Sequence, residues 1–260
     1  MTTVANPRVA PARRPGMRAL WMLVVSEAKS VARDTAGLVV PLGMPLLILV
    51  MSASAAAEHT GAAGLTGVEL SVLPLVLVMV MAMIGIVNMP SFLAMYRRMG
   101  ILRRLGVTPA SPALVLVAQA IVAVVQAVLG IALALAVAGI AFGARPPVDL
   151  LAALGVGALI MAAMCALGML VAAIAPTPNS AVAIGLVGFL GLGAMGGMFG
   201  GPDALPGPLR DATPYLPWGA GVEALAKAWA GAPVEPLSLI VLAATIVVGA
   251  LVAALLFRWE

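Results

Sequence analysis

Charged residues are scarce in this chain of 260 residues, because Asp, Glu, Lys and Arg together make up only 9% of it. Soluble domains contain about 25% charged residues, which cover the surface that faces water. Here 63% of the residues are hydrophobic, so most of the exterior must contact something other than water. The composition excludes a soluble enzyme and a disordered chain, and it indicates an integral membrane protein.

Residues that bind metals or act as nucleophiles are also nearly missing from the sequence. The one cysteine, Cys165, lies in an apolar run, and the one histidine, His59, follows Glu58. A set of three or four metal ligands or a Cys/His catalytic centre cannot be assembled from these residues. We therefore expect no metal, no disulfide framework and no cofactor in this chain.

The sequence contains no nucleotide-binding loop of the Gly-x-x-x-x-Gly-Lys-Ser/Thr type. Only Lys29 precedes a hydroxyl residue, and no glycine-rich stretch lies before it. The apolar runs also lack the ionisable residues that proton-driven or sodium-driven pumps keep at membrane depth. We expect no catalysis here, so another subunit must supply the energy for any uphill transport.

Long apolar runs are what the sequence has in abundance. About 20 apolar residues are needed to cross the hydrocarbon core, and six stretches reach that length without an Asp, Glu, Lys or Arg. They lie near residues 38–57, 70–93, 113–141, 150–174, 180–201 and 237–257. The predicted fold is an all-α integral membrane protein with six transmembrane helices in a domain that covers residues 36–260.

The basic residues predict the orientation of these spans. One side collects most of them, namely Arg8, Arg13, Arg14, Arg18, Lys29, Arg33, Arg97, Arg98, Arg103, Arg104 and Arg258. The other side has only Arg145, Arg210 and Lys227. Because cytoplasmic loops carry the excess of Lys and Arg, we expect both termini in the cytoplasm and a bacterial-type plasma membrane as the location. The net charge of +4 therefore reflects topology, and no nucleic-acid partner is expected.

Two segments precede the first span. Residues 1–15 contain three prolines and no apolar periodicity, which predicts a mobile tail. Residues 16–35 form an amphipathic pattern, with Trp21 on the apolar face and Lys29 and Arg33 on the basic face. This pattern favours an interfacial helix whose apolar face lies in membrane lipid. The alternative is a helix packed on the rest of the protein.

The loop after the second span combines basic and apolar residues. Two arginine pairs alternate with apolar side chains over a few residues, namely Arg97, Arg98, Met99, Leu102, Arg103, Arg104 and Leu105. A short helix here would have both a basic and an apolar surface, which suits docking of a partner. The alternative is ordinary positive-inside topology without any partner.

The segment of residues 202–236 is the longest one on the opposite side. Its apolar stretch from Trp218 to Trp229 is too short to cross the bilayer. Glu223 and Lys227 are spaced i,i+4 in the order that supports a helix. We predict two short helices that dip into the outer leaflet, with both tryptophans at the membrane interface; a plain surface loop is the alternative.

A few polar residues interrupt the predicted spans. Gln119 and Gln126 are seven residues apart and so share one helix face, and Asn88 lies in the second span. Such side chains either bond a neighbouring helix or line a transport path, and bonding between helices is the favoured interpretation.

Glycine and proline are frequent within the spans. Pro41, Pro45 and Pro74 predict kinks. Glycines four residues apart permit close helix packing, and such pairs occur at Gly139/Gly143, Gly193/Gly197 and Gly196/Gly200.

The order of these parts resembles a known family. It is carried by residues 40–49 (VPLGMPLLIL), by residues 96–112 (YRRMGILRRLGVTPASP) and by residues 198–225, which include MFGGPDALP, YLPW and VEAL. Together with six spans and both ends inside, these segments resemble the type-2 ATP-binding-cassette (ABC) permeases of the daunorubicin-resistance kind. The likeness covers nearly the whole chain.

The resemblance implies a membrane subunit of an exporter, paired with a second permease subunit as a homodimer or heterodimer. Two copies of a separate ATPase subunit would bind ATP and Mg²⁺. Residues 97–105 would form the coupling helix, the helix of residues 17–33 would also contact the ATPase, and residues 205–230 would hold two external helices with Glu223 as an acidic residue. The substrate would be a hydrophobic or amphipathic drug or antibiotic, and spans two and five would line its route.

Other functions remain open at this point. A lipid or glycan exporter would have the same apolar path, and nothing excludes a membrane adaptor or immunity protein that does not transport. A small lipid-modifying enzyme is disfavoured, because neither an acidic metal cluster nor a His/Asp pair lies at a bilayer edge.

Overall fold

The computed structural model describes residues 17–56, 64–100, 113–201 and 204–256, and within these ranges the chain is almost entirely helical. The helices are α1 Met17–Arg33, α2 Thr35–Ala56, α3 Val68–Arg98, α4 Ala113–Phe142, α5 Leu150–Ile174, α6 Pro178–Met195, α7 Gly207–Ala212, α8 Pro217–Trp229 and α9 Pro236–Leu256. Six of them, α2 to α6 and α9, are long and apolar enough to cross a membrane. The predicted all-α fold with six spans is therefore confirmed.

Helix α3 is the central helix of the described bundle. In its most apolar stretch 78% of the residues are buried, compared with 17% to 33% in the other five spans. It packs against α2, α4, α5, α6 and α8. A helix that is apolar all round belongs in a core. This position is at odds with the expectation that the second span lines a route between two subunits, because α3 has little free surface.

Two π-helical segments, Val68–Val72 and Met83–Asn88, interrupt the α-helical geometry of α3. Each is followed within two residues by a proline, Pro74 or Pro90. A proline has no N–H group, so the carbonyl four residues earlier loses its helical donor. The wider π turn absorbs that defect, and α3 continues through both prolines as one helix.

Close packing of α3 on α5 and α6 depends on three glycines. A methyl group on Gly168 would overlap the carbonyl oxygen of Gly85, and one on Gly185 would overlap the carbonyl oxygen of Ile86. None of these contacts involves a predicted glycine pair. Pro90 lies four residues after Ile86, so the Ile86 carbonyl has no helical amide donor. The α6 backbone therefore approaches α3 at the point where the geometry of α3 is altered.

Among the predicted glycine pairs, Gly196 lies directly against the indole ring of Trp218 and Gly193 lies against Met198. Gly143, by contrast, has no neighbour near its missing side chain, and its φ of +66° shows that it terminates α4. The predicted fifth segment reached residue 201, while α6 ends at Met195. The backbone turns there, because Gly197 adopts a φ of +84° and the Met198 amide donates to the Gly193 carbonyl over 2.8 Å.

Helix α1 lies against the bundle along one stripe and leaves another stripe free. Val24 and Val31 are buried against α3 and α4, whereas Trp21 is 65% exposed. The predicted apolar face therefore divides in two. The stripe of Val24 and Val31 packs on the rest of the protein, as the alternative interpretation predicted. The stripe that includes Trp21 is exposed and is available for contact with lipid.

The two tryptophans of the segment between α6 and α9 correct an expectation. Trp218 is the second residue of α8 and Trp229 is its last, and both are buried inside the protein, at 0% and 2% exposure. Trp218 packs edge-on against Phe189 of α6, with 5.3 Å between the ring centres. They do not lie at a membrane interface, because α8 inserts between α3, α5 and α9 and places its aromatic ends in the core.

Candidate coupling site at the end of the second span

The last turn of α3 is joined to α1 and α4 by a buried carboxylate. Glu27 of α1 is 6% exposed. Its Oε2 atom accepts a hydrogen bond from the Tyr96 hydroxyl over 2.5 Å and one from the Gln119 amide over 2.8 Å. Three helices therefore meet at one oxygen atom. We call Glu27, Tyr96 and Gln119 the carboxylate cluster.

Burial affects the protonation of this cluster. Removal from water raises the pKa of Glu27 above its ordinary value of 4.5, and the hydrogen bond from Tyr96 lowers it in part. The net direction is upward, so the folded protein holds a proton on Glu27 more firmly than the unfolded chain does. The sequence pattern placed Glu27 among residues of an amphipathic helix and gave no sign of this role.

A second polar group lies deeper in the bundle and follows from Pro41. Since Pro41 has no N–H group, the Gly37 carbonyl of α2 lacks its helical donor. Asn88 and Gln126 replace it, with amide-to-carbonyl distances of 2.9 Å and 2.8 Å, and Asn88 also donates to Gln126 over 2.9 Å. We call Gly37, Pro41, Asn88 and Gln126 the carbonyl cluster. Its two side-chain amides donate to a backbone carbonyl that lipid could not hydrogen-bond.

The three polar residues singled out within the spans, Asn88, Gln119 and Gln126, thus all make hydrogen bonds between helices. Each is buried, at 6%, 2% and 4% exposure. Bonding was the favoured interpretation of these side chains, and the described geometry gives all three a protein partner.

Arg97 has a partner within the chain. Its guanidinium donates to the carbonyl oxygens of Ala172, at 3.2 Å, and of Ala175. These carbonyls lie at the end of α5, where a helix has no further amide donors and carries partial negative charge. Arg97 therefore caps α5 and ties it to the end of α3, a contact that the docking prediction for this residue did not include.

The other predicted docking residues divide into two groups. Arg98, the last residue of α3, and Met99 after it are exposed, and on α1 the side chains of Trp21, Lys29 and Arg33 are exposed as well. Leu102, Arg103, Arg104 and Leu105 lie outside the described residues. The structure thus connects the start of the basic loop firmly to α1, α4 and α5.

On the opposite side of the bundle a second buried carboxylate joins the start of α3 to the loop between α4 and α5. Glu69 is 2% exposed and accepts from the backbone amides of Thr66 and Arg145, each over 2.6 Å. The Arg145 carbonyl in turn accepts from the Trp229 indole over 3.2 Å. Glu69 lay just outside the second predicted span, so charge counting assigned it to the loop surface. Glu223 and Lys227, the predicted pair on α8, are half-buried.

The fold and this site define a helical, multi-pass membrane protein whose second span links a basic loop to three neighbouring helices. Comparison with protein families shows which class this is, because the ABC-2 type transporter family matches residues 18–229. The chain belongs to that family and is a permease component of an ABC transporter. Family membership implies an ABC ATPase as partner. Among curated proteins no sequence matches this chain.

Proposed function

We propose that this chain is the membrane subunit of an ABC exporter, and that two such subunits form the path for a hydrophobic or amphipathic substrate. A separate ATPase, present in two copies, binds ATP and Mg²⁺ and docks on the basic loop of residues 97–105 and on the basic face of α1. The observation that carries the proposal is the set of hydrogen bonds at the end of α3.

These bonds supply a route for force. A push on residues 97–105 acts directly on the last turn of α3, where Tyr96 holds α1 and α4 through Glu27 and Arg97 holds α5. Packed helices move as bodies, so a small displacement at a loop becomes a shift of a whole span. The ATPase cycle would in this way change the access of the path from one side of the membrane to the other.

The class of substrate is inferred from the surfaces that the bundle offers. The spans contain no charged residue in their apolar stretches, and their few buried amides already bond other helices. Such a path favours substrates with a large apolar surface, such as a hydrophobic drug or antibiotic. Lipids and glycans on lipid carriers share that property, so the substrate is to be identified by stimulation of ATP hydrolysis.

The test is charge reversal at the loop in native membranes. We expect Arg103→Glu combined with Arg104→Glu to abolish co-purification of the ATPase and vanadate-sensitive hydrolysis, because unlike charges at a docking surface become like charges. Arg210→Glu, on the opposite side of the bundle, is the matched control and leaves both intact.

Two results contradict the proposal. Retention of both ATPase binding and transport in the Arg103→Glu/Arg104→Glu variant would show that the loop is not the docking site. Purification of the wild-type chain from gentle detergent without any ATPase would favour a membrane adaptor that does not transport.

A further inference from the structure

A deep apolar groove opens between α4 and α5. Its volume is about 300 Å³, Met81 of α3 lies at its floor, and Trp229 of α8 lines it. The walls include Val128 of α4 and Leu154 and Met161 of α5, and all residues that line the groove are apolar. A site of this size is in the range of pockets that hold small ligands.

The length of the groove matches one leaflet of a bilayer. On α5 it extends from Leu150, at the start of the helix, to Met161. At 1.5 Å per residue this distance is about 16 Å, and half of the hydrocarbon core is about 15 Å. The groove therefore runs from the level of the loop of residues 143–149 to the middle of the membrane.

The rims of the groove are exposed. Val124 and Val128 on one rim are 47% and 58% exposed, and Leu150 and Leu154 on the other are 59% and 62% exposed. Exposed aliphatic side chains on a membrane span contact acyl chains. We therefore expect the groove to be open to the hydrocarbon of one leaflet.

An exposed arginine lies in the loop at the end of the groove. Arg145 is two residues before Pro147, which lines the groove, and its side chain is exposed. Its guanidinium makes no hydrogen bond or ion pair with any residue that the structure describes. Its backbone, by contrast, is held on both sides, by Glu69 and by Trp229. The fold therefore sets the position of the Arg145 backbone, from which the exposed side chain extends.

We propose that the groove is a binding site for a phospholipid with a net negative headgroup. One acyl chain fills the groove from Leu150 to Met161, and the phosphate pairs with Arg145. A guanidinium binds phosphate with two parallel hydrogen bonds, and an aliphatic lining gains free energy from each methylene that it buries. This inference concerns lipid at the outside of the bundle and does not depend on the transported substrate.

A span of a second subunit is the other candidate occupant, and the shape argues against it. A transmembrane helix crosses about 30 Å of hydrocarbon, whereas the groove ends near the middle of the membrane at Met161. A chain of one lipid molecule has the length that the groove provides.

The test is photolabelling of the purified protein, with any ATPase that accompanies it, in phosphatidylcholine vesicles. The probe is phosphatidylglycerol with a diazirine in the middle of one acyl chain, added in trace amount. We expect labelled peptides from residues 124–135 and 150–161. Gly157→Leu fills the groove and reduces this labelling about fivefold, which corresponds to a loss of about 1 kcal/mol of binding free energy.

Gly155→Leu is the matched control, because it makes the same change two residues away on α5, outside the groove. Neither Gly155 nor Gly157 has an atom within 4 Å of the position of a Cβ atom, so both variants keep the fold. Arg145→Gln lowers labelling by the phosphatidylglycerol probe to the level of a phosphatidylcholine probe, because the charge that distinguishes the two lipids is gone.

Equal labelling of Gly155→Leu and Gly157→Leu would overturn the proposal. So would a disulfide between two subunits formed by Leu154→Cys in a Cys165→Ser background, because a second copy would then occupy the groove. An unchanged lipid preference in Arg145→Gln would overturn the assignment of the phosphate.

Discussion

Single glycines decide how closely the central helix can be packed. Gly168 of α5 lies against the carbonyl of Gly85, and Gly185 of α6 lies against the carbonyl of Ile86. Lipid is as apolar as a side chain, so helices in a membrane associate through close contact and not through hydrophobic exclusion. Each of these positions therefore contributes to the association of two spans.

We predict that Gly168→Ala destabilises the bundle by about 1–3 kcal/mol, the usual cost of a methyl group forced into a packed interface. Thermal unfolding in detergent, followed by circular dichroism, measures it as a lower midpoint. Gly155→Ala on the same helix is the control, because no atom lies near its new methyl group and alanine favours the helix. Equal midpoints for the two variants would show that the close contact with Gly85 does not contribute to stability.

The carbonyl cluster is a second feature at the residue scale. Pro41 leaves the Gly37 carbonyl without a helical donor, and Asn88 and Gln126 donate to it instead. We predict that Asn88→Leu combined with Gln126→Met lowers the free energy of unfolding by about 1–2 kcal/mol, in the range of hydrogen bonds between membrane helices. Adding Pro41→Ala restores an amide donor for the Gly37 carbonyl and recovers part of this loss.

Pro45→Ala provides the control for that rescue. Its new amide lies four residues after Pro41 and so reaches the Pro41 carbonyl instead of the Gly37 carbonyl. Recovery by Pro45→Ala as large as that by Pro41→Ala would mean that helix propensity, and not the Gly37 carbonyl, explains the effect. Denaturant titration of the reconstituted protein gives the required free energies.

At the scale of elements, one buried acid joins α1 to α3 and α4, in addition to apolar packing. The pKa of Glu27 is raised in the folded protein, mainly by burial, so the folded state binds a proton more tightly than the unfolded state. Stability from this group is therefore greatest below its ordinary pKa and falls as the pH rises towards the raised value. We therefore expect helix α1 to be held more firmly at acidic pH than at neutral pH.

We predict that Glu27→Gln removes this dependence, because glutamine stays neutral and keeps the length of the side chain. Between pH 4.5 and neutral pH, the unfolding midpoint of the wild type falls relative to that of Glu27→Gln. Thermal unfolding of both proteins in the same series of buffers measures the difference. Parallel curves would contradict the raised pKa.

At the scale of the whole molecule, the distribution of basic residues predicts which side of the membrane each loop occupies. Arg98 ends α3 and Arg210 lies on α7, and both are exposed. The excess of Lys and Arg around Arg98 predicts that this residue lies in the cytoplasm and that Arg210 lies outside.

We predict that a membrane-impermeant maleimide labels Arg210→Cys in intact cells and does not label Arg98→Cys. Both variants are made in a Cys165→Ser background, because Cys165 is the single native cysteine. Permeabilised cells serve as the control and should show labelling of both. The reverse pattern in intact cells would invert the topology and exclude docking of a cytoplasmic ATPase on residues 97–105.

The sequence by itself determined the number of spans, the helical class and the amphipathic α1. These properties follow from composition and periodicity along one segment, since an apolar run of about 20 residues without charge has no other stable environment. It also identified Asn88, Gln119 and Gln126 as the polar residues of the spans.

Only the tertiary structure decided which residues meet. Glu27 and Glu69 look like surface acids, and they are buried because partners from distant segments supply their hydrogen bonds. Trp218 and Trp229 look like interfacial residues, and α8 carries both into the core. Such contacts depend on how whole helices pack, and no pattern within one segment records that arrangement.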